Sequence, residues 1–212
     1  LLLCLIRKIH LSDRWVRGDG WKKAESAALP EWVMGAELKG KTLGIIGLGQ
    51  IGSRVARIAR GFDMNVLAYD PFAQPQTEAP IERTTLEELL SRADIATLHV
   101  PLTPATAKMI NARTLAVMKA KALLVNTSRG GVIDEAVLLK ALEEKRIGGA
   151  ALDVFAHEPI GGHHPLAKLE NVVLSPHIGA MTQEAGERLS AAVSRQVRDI
   201  LEGRIPECLI TG

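Results

Sequence analysis

Gly47, Gly49 and Gly52 stand between an apolar run, Lys41 to Ile46, and a stretch with helical spacing at Ile51, Val55 and Ile58. That junction constrains the fold more than any other feature of the chain. In a strand–glycine turn–helix unit the first glycine permits a tight turn, the second lets the backbone approach a pyrophosphate, and the third allows close helix packing. Gly61 suits the C-cap of the helix. The next apolar run, Val66 to Tyr69, ends at Asp70, about 20 residues on, where an acidic residue can accept hydrogen bonds from a bound ribose. Its charge would repel a 2′-phosphate, and no Arg stands at 71 or 72 to receive one, so NAD is expected rather than NADP. The structural alternative is that Asp70 only starts a turn at Asp-Pro.

The alternation continues. Thr85 and Glu88 form a capping-box pattern opening a helix from Leu86 to Arg92. Ile95 to Val100 and Leu123 to Asn126 read as buried strands, separated by a Pro-punctuated, partly helical stretch from Thr103 to Met118. Asp134 caps a helix reaching Lys145, and Ala150 to Val154 and Val172 to Ser175 follow as strands. Strands and helices in this order predict a doubly wound α/β fold, a parallel sheet of about six to seven strands with helices on both faces. There is no internal repeat.

In 212 residues, 47% apolar and 24% charged composition is that of a soluble globular chain. The net charge of +2 comes from interspersed charges, and the few aromatics are not interleaved with Lys or Arg, which argues against a nucleic-acid surface. No run reaches the roughly 18 apolar residues of a membrane span. Cys4 and Cys208 lack metal spacing and read as free thiols in a reducing cytoplasm, with one disulfide as the alternative. LLLCLI is too short, and lacks the basic flank, for a signal peptide, so Leu1 to Leu11 is expected to be an amphipathic helix. A chain opening at Leu in mid-helix suggests a fragment or processed product.

Two flanks leave the alternation. Residues 12 to 40 carry Trp15, Trp21 and Trp32 with little periodicity, either a long loop packed on its own domain or an arm on a second subunit. Thr182 to Glu202 reads as one long helix, with Gly203 as its stop and Pro206 beyond.

Three segments, NTSRGG (126 to 131), ALDVFAHEP (151 to 159) and SPHIGA (175 to 180), follow or end apolar runs and present Arg129, Glu158 and His177. In an open parallel sheet ligands bind at the carboxyl edge of the strands, so a cation, an acid and an imidazole there suggest a carboxylate site beside a proton donor. His157, His163 and His164 near Glu158 and Glu170 invite a metal reading, but no metal motif is present, and loop solvation is the expectation; no metal is expected. His10 and His99 read as helix-face and strand-end residues.

Together GLGQIG, YDP, LHVPLTPAT, NTSRGGVIDEAVL, GAALDVFAHEP and SPHIGAMTQEA resemble the D-isomer-specific 2-hydroxyacid dehydrogenases, over nearly the whole chain and in the right order. The resemblance implies a Rossmann-type NAD-binding lobe. In that family the lobe is inserted between two sequence halves of a substrate lobe, whose N-terminal part has no counterpart here. It divides the chain into an entry helix and dimer arm (1–40), a nucleotide-binding core (41–180) and a C-terminal helix and tail (181–212). It makes Arg129 the group that binds the substrate carboxylate and carbonyl, Glu158 the carboxylate partner and His177 the acid/base. It places the main chain of Gln50 and Ile51 at the pyrophosphate, and Val100, Pro101 and Thr106 around the adenosine. Thr127, Ser128, Asp153 and Gly179 fall at the nicotinamide side, with Asp153 receiving the carboxamide. Structural alternatives are that Asp153 caps a turn, Pro101 ends a strand and Ser128 is a satisfied turn hydroxyl. The chemistry suits the roles: a guanidinium fork matches a carboxylate, and imidazole changes protonation near neutral pH.

The resemblance implies hydride transfer between NAD and a D-2-hydroxy acid/2-keto acid pair in a homodimer, with the isolated chain binding NAD without turnover. Family members act on glycerate, phosphoglycerate, lactate, glyoxylate and longer acids. The rival reading is an NAD(H)-sensing binding protein, since transcriptional corepressors share this fold and keep the Arg, Glu and His. A third is a domain that works only with a partner chain.

Overall fold

Strand segments that are apolar at every position, rather than at every second one, must be covered on both faces. The computed structural model shows this, and it describes residues 1–24, 29–72 and 81–206. Cys4 is a half-buried free thiol, while Cys208 lies outside the described residues. Seven parallel strands form one sheet in the order β3-β2-β1-β4-β5-β6-β7. They are β1 (Thr42–Ile46), β2 (Asn65–Tyr69), β3 (Glu82–Arg83), β4 (Ile95–Leu98), β5 (Leu123–Asn126), β6 (Gly149–Leu152) and β7 (Val172–Leu174). The order reverses between β1 and β4, which opens a crevice at their carboxyl ends.

Successive side chains of each strand go to opposite layers. Ile46, Leu98, Leu124, Ala150 and Leu152 face a core closed by α5 (Leu86–Arg92), α6 (Ala112–Ala116) and α7 (Glu135–Glu143). Ile45, Ile95, Val125, Ala151 and Val173 face a second core closed by α4 (Gln50–Gly61) and α1 (Leu2–Ile6). Asp94, just before β4, ties the amino ends together by accepting the Thr42 N–H at 2.8 Å. Burial opposes its ionisation, but hydrogen bonds from Lys119 and Thr42 outweigh that and hold its pKa below the usual carboxylate range.

Local signals act as the sequence suggests in most places. Thr85 and Asp134 accept the N–H groups of Glu88 and Val137 at the starts of α5 and α7. The sheet has the upper number of the six to seven strands expected, but β3 lies where the sequence marks no strand. It has two charged residues and, among the described residues, pairs with Leu67 and Ala68 of β2. Beside it, Glu82 and Glu88 both pair with Arg92. Gly61 is not a C-cap but the last residue of α4. The left-handed position falls two residues later at Asp63 (φ 56), where N–H groups of Asp63 and Met64 reach the carbonyls of Arg60 and Ala59.

The helix expected over Leu1 to Leu11 is broken in two. Leu5 and Ile6 bury α1 on the second core, and Lys8 then adopts φ 54 and redirects the chain into α2 (Ile9–Arg17). From α2, His10 Nε2 meets the Glu170 carbonyl at 2.9 Å. After α3 (Gly20–Lys23) and a 3-10 turn, Glu31–Val33, the chain returns over α1, with Ala36 N–H on the Ile6 carbonyl at 3.1 Å. Trp15 and Trp32 meet edge to face at 5.7 Å, while Trp21 remains 59% exposed.

The chain divides at Pro176/His177 into two compact units, the first holding the sheet. The second holds α8 (Gln183–Leu201), capped by Thr182 and stopped at Gly203 (φ 73) as its sequence predicts. Leu189, Val193, Val197 and Ile200 are exposed along α8. Among the described residues no helix is long and apolar enough to cross a membrane.

Candidate active site

The glycine turn leaves β1 at its carboxyl end, inside the crevice. Gly47 has φ 94, and a Cβ on it would fall 2.7 Å from the His99 carbonyl oxygen. A Cβ on Gly52 would fall 2.0 Å from the Gly47 carbonyl oxygen. These two glycines are therefore required by the protein's own backbone. Gly49 is different, since its φ of −75 suits any residue and a Cβ there would meet nothing within 4 Å. The space it leaves is open to a ligand.

At the helix start α4, like the peripheral α1, α2 and α3, has no side-chain cap, whereas α5, α6, α7 and α8 are capped by Thr85, Asn111, Asp134 and Thr182. The first amides of α4, at Gln50, Ile51 and Gly52, are thus set to receive an anion beside the open position at Gly49. Asp70 braces this turn: Oδ2 accepts the Leu48 N–H at 2.8 Å and Oδ1 the Phe72 N–H at 2.9 Å. The turn at Asp-Pro is therefore real. Each carboxylate oxygen can accept more than one hydrogen bond, so the ribose role remains compatible with it.

Across the crevice, the strand expected to reach Val100 ends at Leu98. The reason is local: His99 continues the ladder by one bond, N–H to the Ile46 carbonyl at 2.7 Å, and its carbonyl then abuts Gly47. Burial lowers the His99 pKa from 6.5 to about 4, and its Nε2 lies 3.1 Å from the Thr97 hydroxyl. Val100 is half-buried and Pro101 exposed. The Thr106 hydroxyl donates to the Pro101 carbonyl at 2.6 Å and accepts the Thr103 N–H at 2.8 Å, which shapes this loop.

After β5, Asn126 organises the turn that carries Arg129. It is fully buried; its Oδ1 accepts both the N–H and the hydroxyl of Ser128, and its Nδ2 donates to the Arg129 carbonyl at 3.0 Å. Sequence reasoning passed over Asn126, although Asn at a strand end ahead of Ser, Arg and Gly is a turn signal. The Ser128 hydroxyl is thereby used within the turn, while Thr127 and Arg129 are exposed and Arg129 Nη1 donates to the Ser128 carbonyl at 2.7 Å. After β6, Asp153 is buried, accepts the Ser175 hydroxyl, and its N–H reaches the Asn126 carbonyl at 2.9 Å. Glu158 is exposed and accepts the Phe155 N–H at 2.9 Å through Oε1.

The loops of Arg129 and Glu158 touch through their backbones, because a Cβ on Gly130 would fall 1.8 Å from the Phe155 carbonyl oxygen. His177 opens the second unit with φ 54, an uncommon conformation for a residue with a Cβ, and Gly179 follows it. His157 and His163 are exposed, but His164 is not a solvated loop residue: it is half-buried against Phe155 and Glu135. Among the described residues no three His, Cys, Asp or Glu side chains are grouped to hold a metal.

A glycine turn feeding an uncapped helix at the switch point of a seven-stranded parallel sheet defines a dinucleotide-binding α/β domain. More narrowly, the model of the family described as D-isomer specific 2-hydroxyacid dehydrogenase, NAD binding domain, matches residues 1–179, and the chain belongs to that family. It is 45% identical over 212 residues to a glyoxylate reductase of Thermococcus litoralis, covering 99% of this chain and 64% of that protein. The crystal structure of the TT0316 protein from Thermus thermophilus superposes with a TM-score of 0.91 at 37% identity, covering 99% of this chain and 65% of that one. A D-lactate dehydrogenase with NAD+ from Lactobacillus jensenii gives a TM-score of 0.87 at 30% identity, covering 100% and 66%. The chain thus spans less than two thirds of the length of these relatives.

The glycines separate folding from binding. Gly52→Ala is expected to destabilise the fold by roughly 1–3 kcal/mol, because the obstructing atom is backbone. Gly49→Ala should change stability by less than about 0.5 kcal/mol yet weaken NADH binding at least about tenfold. Urea midpoints and NADH fluorescence titrations check both. His99 gives a pH dependence of known sign. Its folded pKa is depressed, so the unfolded chain binds the extra proton, and stability is full above pH 6.5 and declines as pH falls toward about 4. The loss amounts to at most about 3 kcal/mol. Urea midpoints followed across that range should fall less steeply in His99→Asn than in the wild type.

Proposed function

We propose that the intact protein transfers a hydride between NAD and a D-2-hydroxy acid/2-keto acid pair, and that this chain is its nucleotide-binding portion. The observation that carries the reading is the uncapped start of α4 beside the open position at Gly49, where a bound pyrophosphate would complete the helix. Gln50 and Ile51 would hold the pyrophosphate through their amides, and Val100, Pro101 and Thr106 would enclose the adenosine. Asp70 favours NAD over NADP, since Pro71 and Phe72 supply no cation for a 2′-phosphate. Thr127, Ser128, Asp153 and Gly179 fall to the nicotinamide side, with Asp153 receiving the carboxamide. Ser128 would act there through its main chain, its hydroxyl being held by Asn126.

When bound, the cofactor supplies or accepts the hydride. Arg129 binds the substrate carboxylate with its planar fork and polarises the neighbouring carbonyl, a role that Lys cannot reproduce. His177 donates a proton to the carbonyl oxygen during reduction and removes it during oxidation. Glu158 is its carboxylate partner in this reading. The left-handed backbone of His177 supports a functional reading, because such conformations concentrate at sites. A substrate lobe outside this chain would exclude water and choose among acids, and the exposed stripe Leu189, Val193, Val197 and Ile200 on α8 suits such a neighbour. The exposed Trp21 suits a homodimer formed through the arm at 12–40. The free thiol of Cys4 suits a cytoplasmic setting.

In the full-length protein, His177→Asn should lower turnover of 2-keto acids about 10²- to 10⁴-fold with NADH affinity kept. The 212-residue chain should bind NADH without turning over. Full-length protein that binds NADH yet reduces no member of a 2-keto acid panel would overturn the enzyme and favour the sensor. Light scattering at micromolar protein should give a dimer mass, and a monomer would remove the arm's assigned role.

A further inference from the structure

Glu135 is the first residue of α7, yet its carboxylate does not serve that helix, whose cap is Asp134. Instead Oε2 accepts the N–H of Ala156 at 3.1 Å, and Oε1 lies 3.3 Å from Nε2 of His164. Both side chains are only 23% exposed. The His164 ring meets Phe155 at a centroid distance of 6.3 Å, and its Nδ1 is buried with no hydrogen-bond partner among the described residues. A proton on Nδ1 would therefore be buried with nothing to accept it, which assigns the proton to Nε2, donating to Glu135.

The backbone of Phe155 and Ala156 is consequently held from three directions. Glu158 accepts the N–H of Phe155, Glu135 accepts the N–H of Ala156, and Gly130 lies against the Phe155 carbonyl so closely that no Cβ fits. Arg129 immediately precedes Gly130, and Glu158 belongs to the same loop as Phe155 and Ala156. These two consecutive peptides thus tie the loops of both side chains together, and Glu135 is the group that holds them from the helical layer.

We propose that Glu135, backed by His164, is a positioning residue for Arg129 and Glu158. The inference rests on the roles given above to those two residues. Without the carboxylate, the Ala156 N–H and the His164 Nε2–H both lose their acceptor, and the loop can move relative to Gly130. Displacements of about 1 Å at a reacting group can cost about 10²-fold in rate.

The test uses Glu135→Ala, Glu135→Gln and His164→Asn in the full-length protein. Glu135→Ala should speed amide exchange in the segment 155–158 at least about tenfold. NADH affinity should stay within about twofold, while kcat falls about 10- to 10²-fold. Glu135→Gln, whose amide oxygen can still accept the Ala156 N–H, should recover most of the loss, and His164→Asn should fall between. Unchanged exchange in Glu135→Ala would overturn the proposal, as would equal losses of NADH affinity and turnover. If the wild type turns over no 2-keto acid, hydride transfer fails on its own account. Amide exchange then decides alone, and unaltered protection in Glu135→Ala overturns the brace.

Discussion

Burial of the sheet on both faces is the constraint from which the rest follows. Once alternate residues of β1, β4, β5 and β6 are committed to two apolar layers, polar side chains find partners only toward the strand ends, as Thr97 and Asn126 do. Chemistry is displaced to the points where strands stop. Gly47, His99, Asn126 and Asp153 all stand at or just beyond a carboxyl end, and each helps fix the path of the loop that follows. The site is thus a set of strand endings, held in mutual register by the ladder below them.

Close backbone approach does the remaining positioning. Gly52 lets α4 descend onto the turn at Gly47, and Gly130 lets the loop after β5 rest on the loop after β6. At both places a polypeptide carbonyl occupies the volume a side chain would need. Side-chain carboxylates then lock what the glycines permit: Asp70 holds the glycine turn through Leu48, and Glu158 and Glu135 hold the second loop through neighbouring amides.

The features legible in the sequence were those whose cause is local. Thr85, Asp134 and Thr182 cap helices through bonds spanning three residues, and the three glycines mark a turn complete in itself. What escaped depends on distant partners. Residues 82 and 83 are charged and become a strand only because Leu67 and Ala68 offer an edge. Lys8 breaks a good helical pattern with a left-handed backbone just after Leu5 and Ile6 are buried on the second core. His164 looked like one of three loop histidines, and only its neighbours Glu135 and Phe155, at 29 and 9 residues' remove, distinguish it. Arg129, Glu158 and His177 could be singled out because their motifs carry a family pattern; the side chains that support them carry none.

The shortness and charge of β3 bear on how the molecule behaves in a crowded solution. A parallel sheet ends in a row of unsatisfied peptide groups, to which a strand from another molecule can add. Here that margin is two residues long, and Glu82, Glu88 and Arg92 are gathered beside it as charged side chains that would have to shed water before any strand could dock. The sequence that makes β3 nearly invisible as a strand also makes it a poor template. Resistance to edge-to-edge aggregation is therefore built into the element that periodicity overlooks.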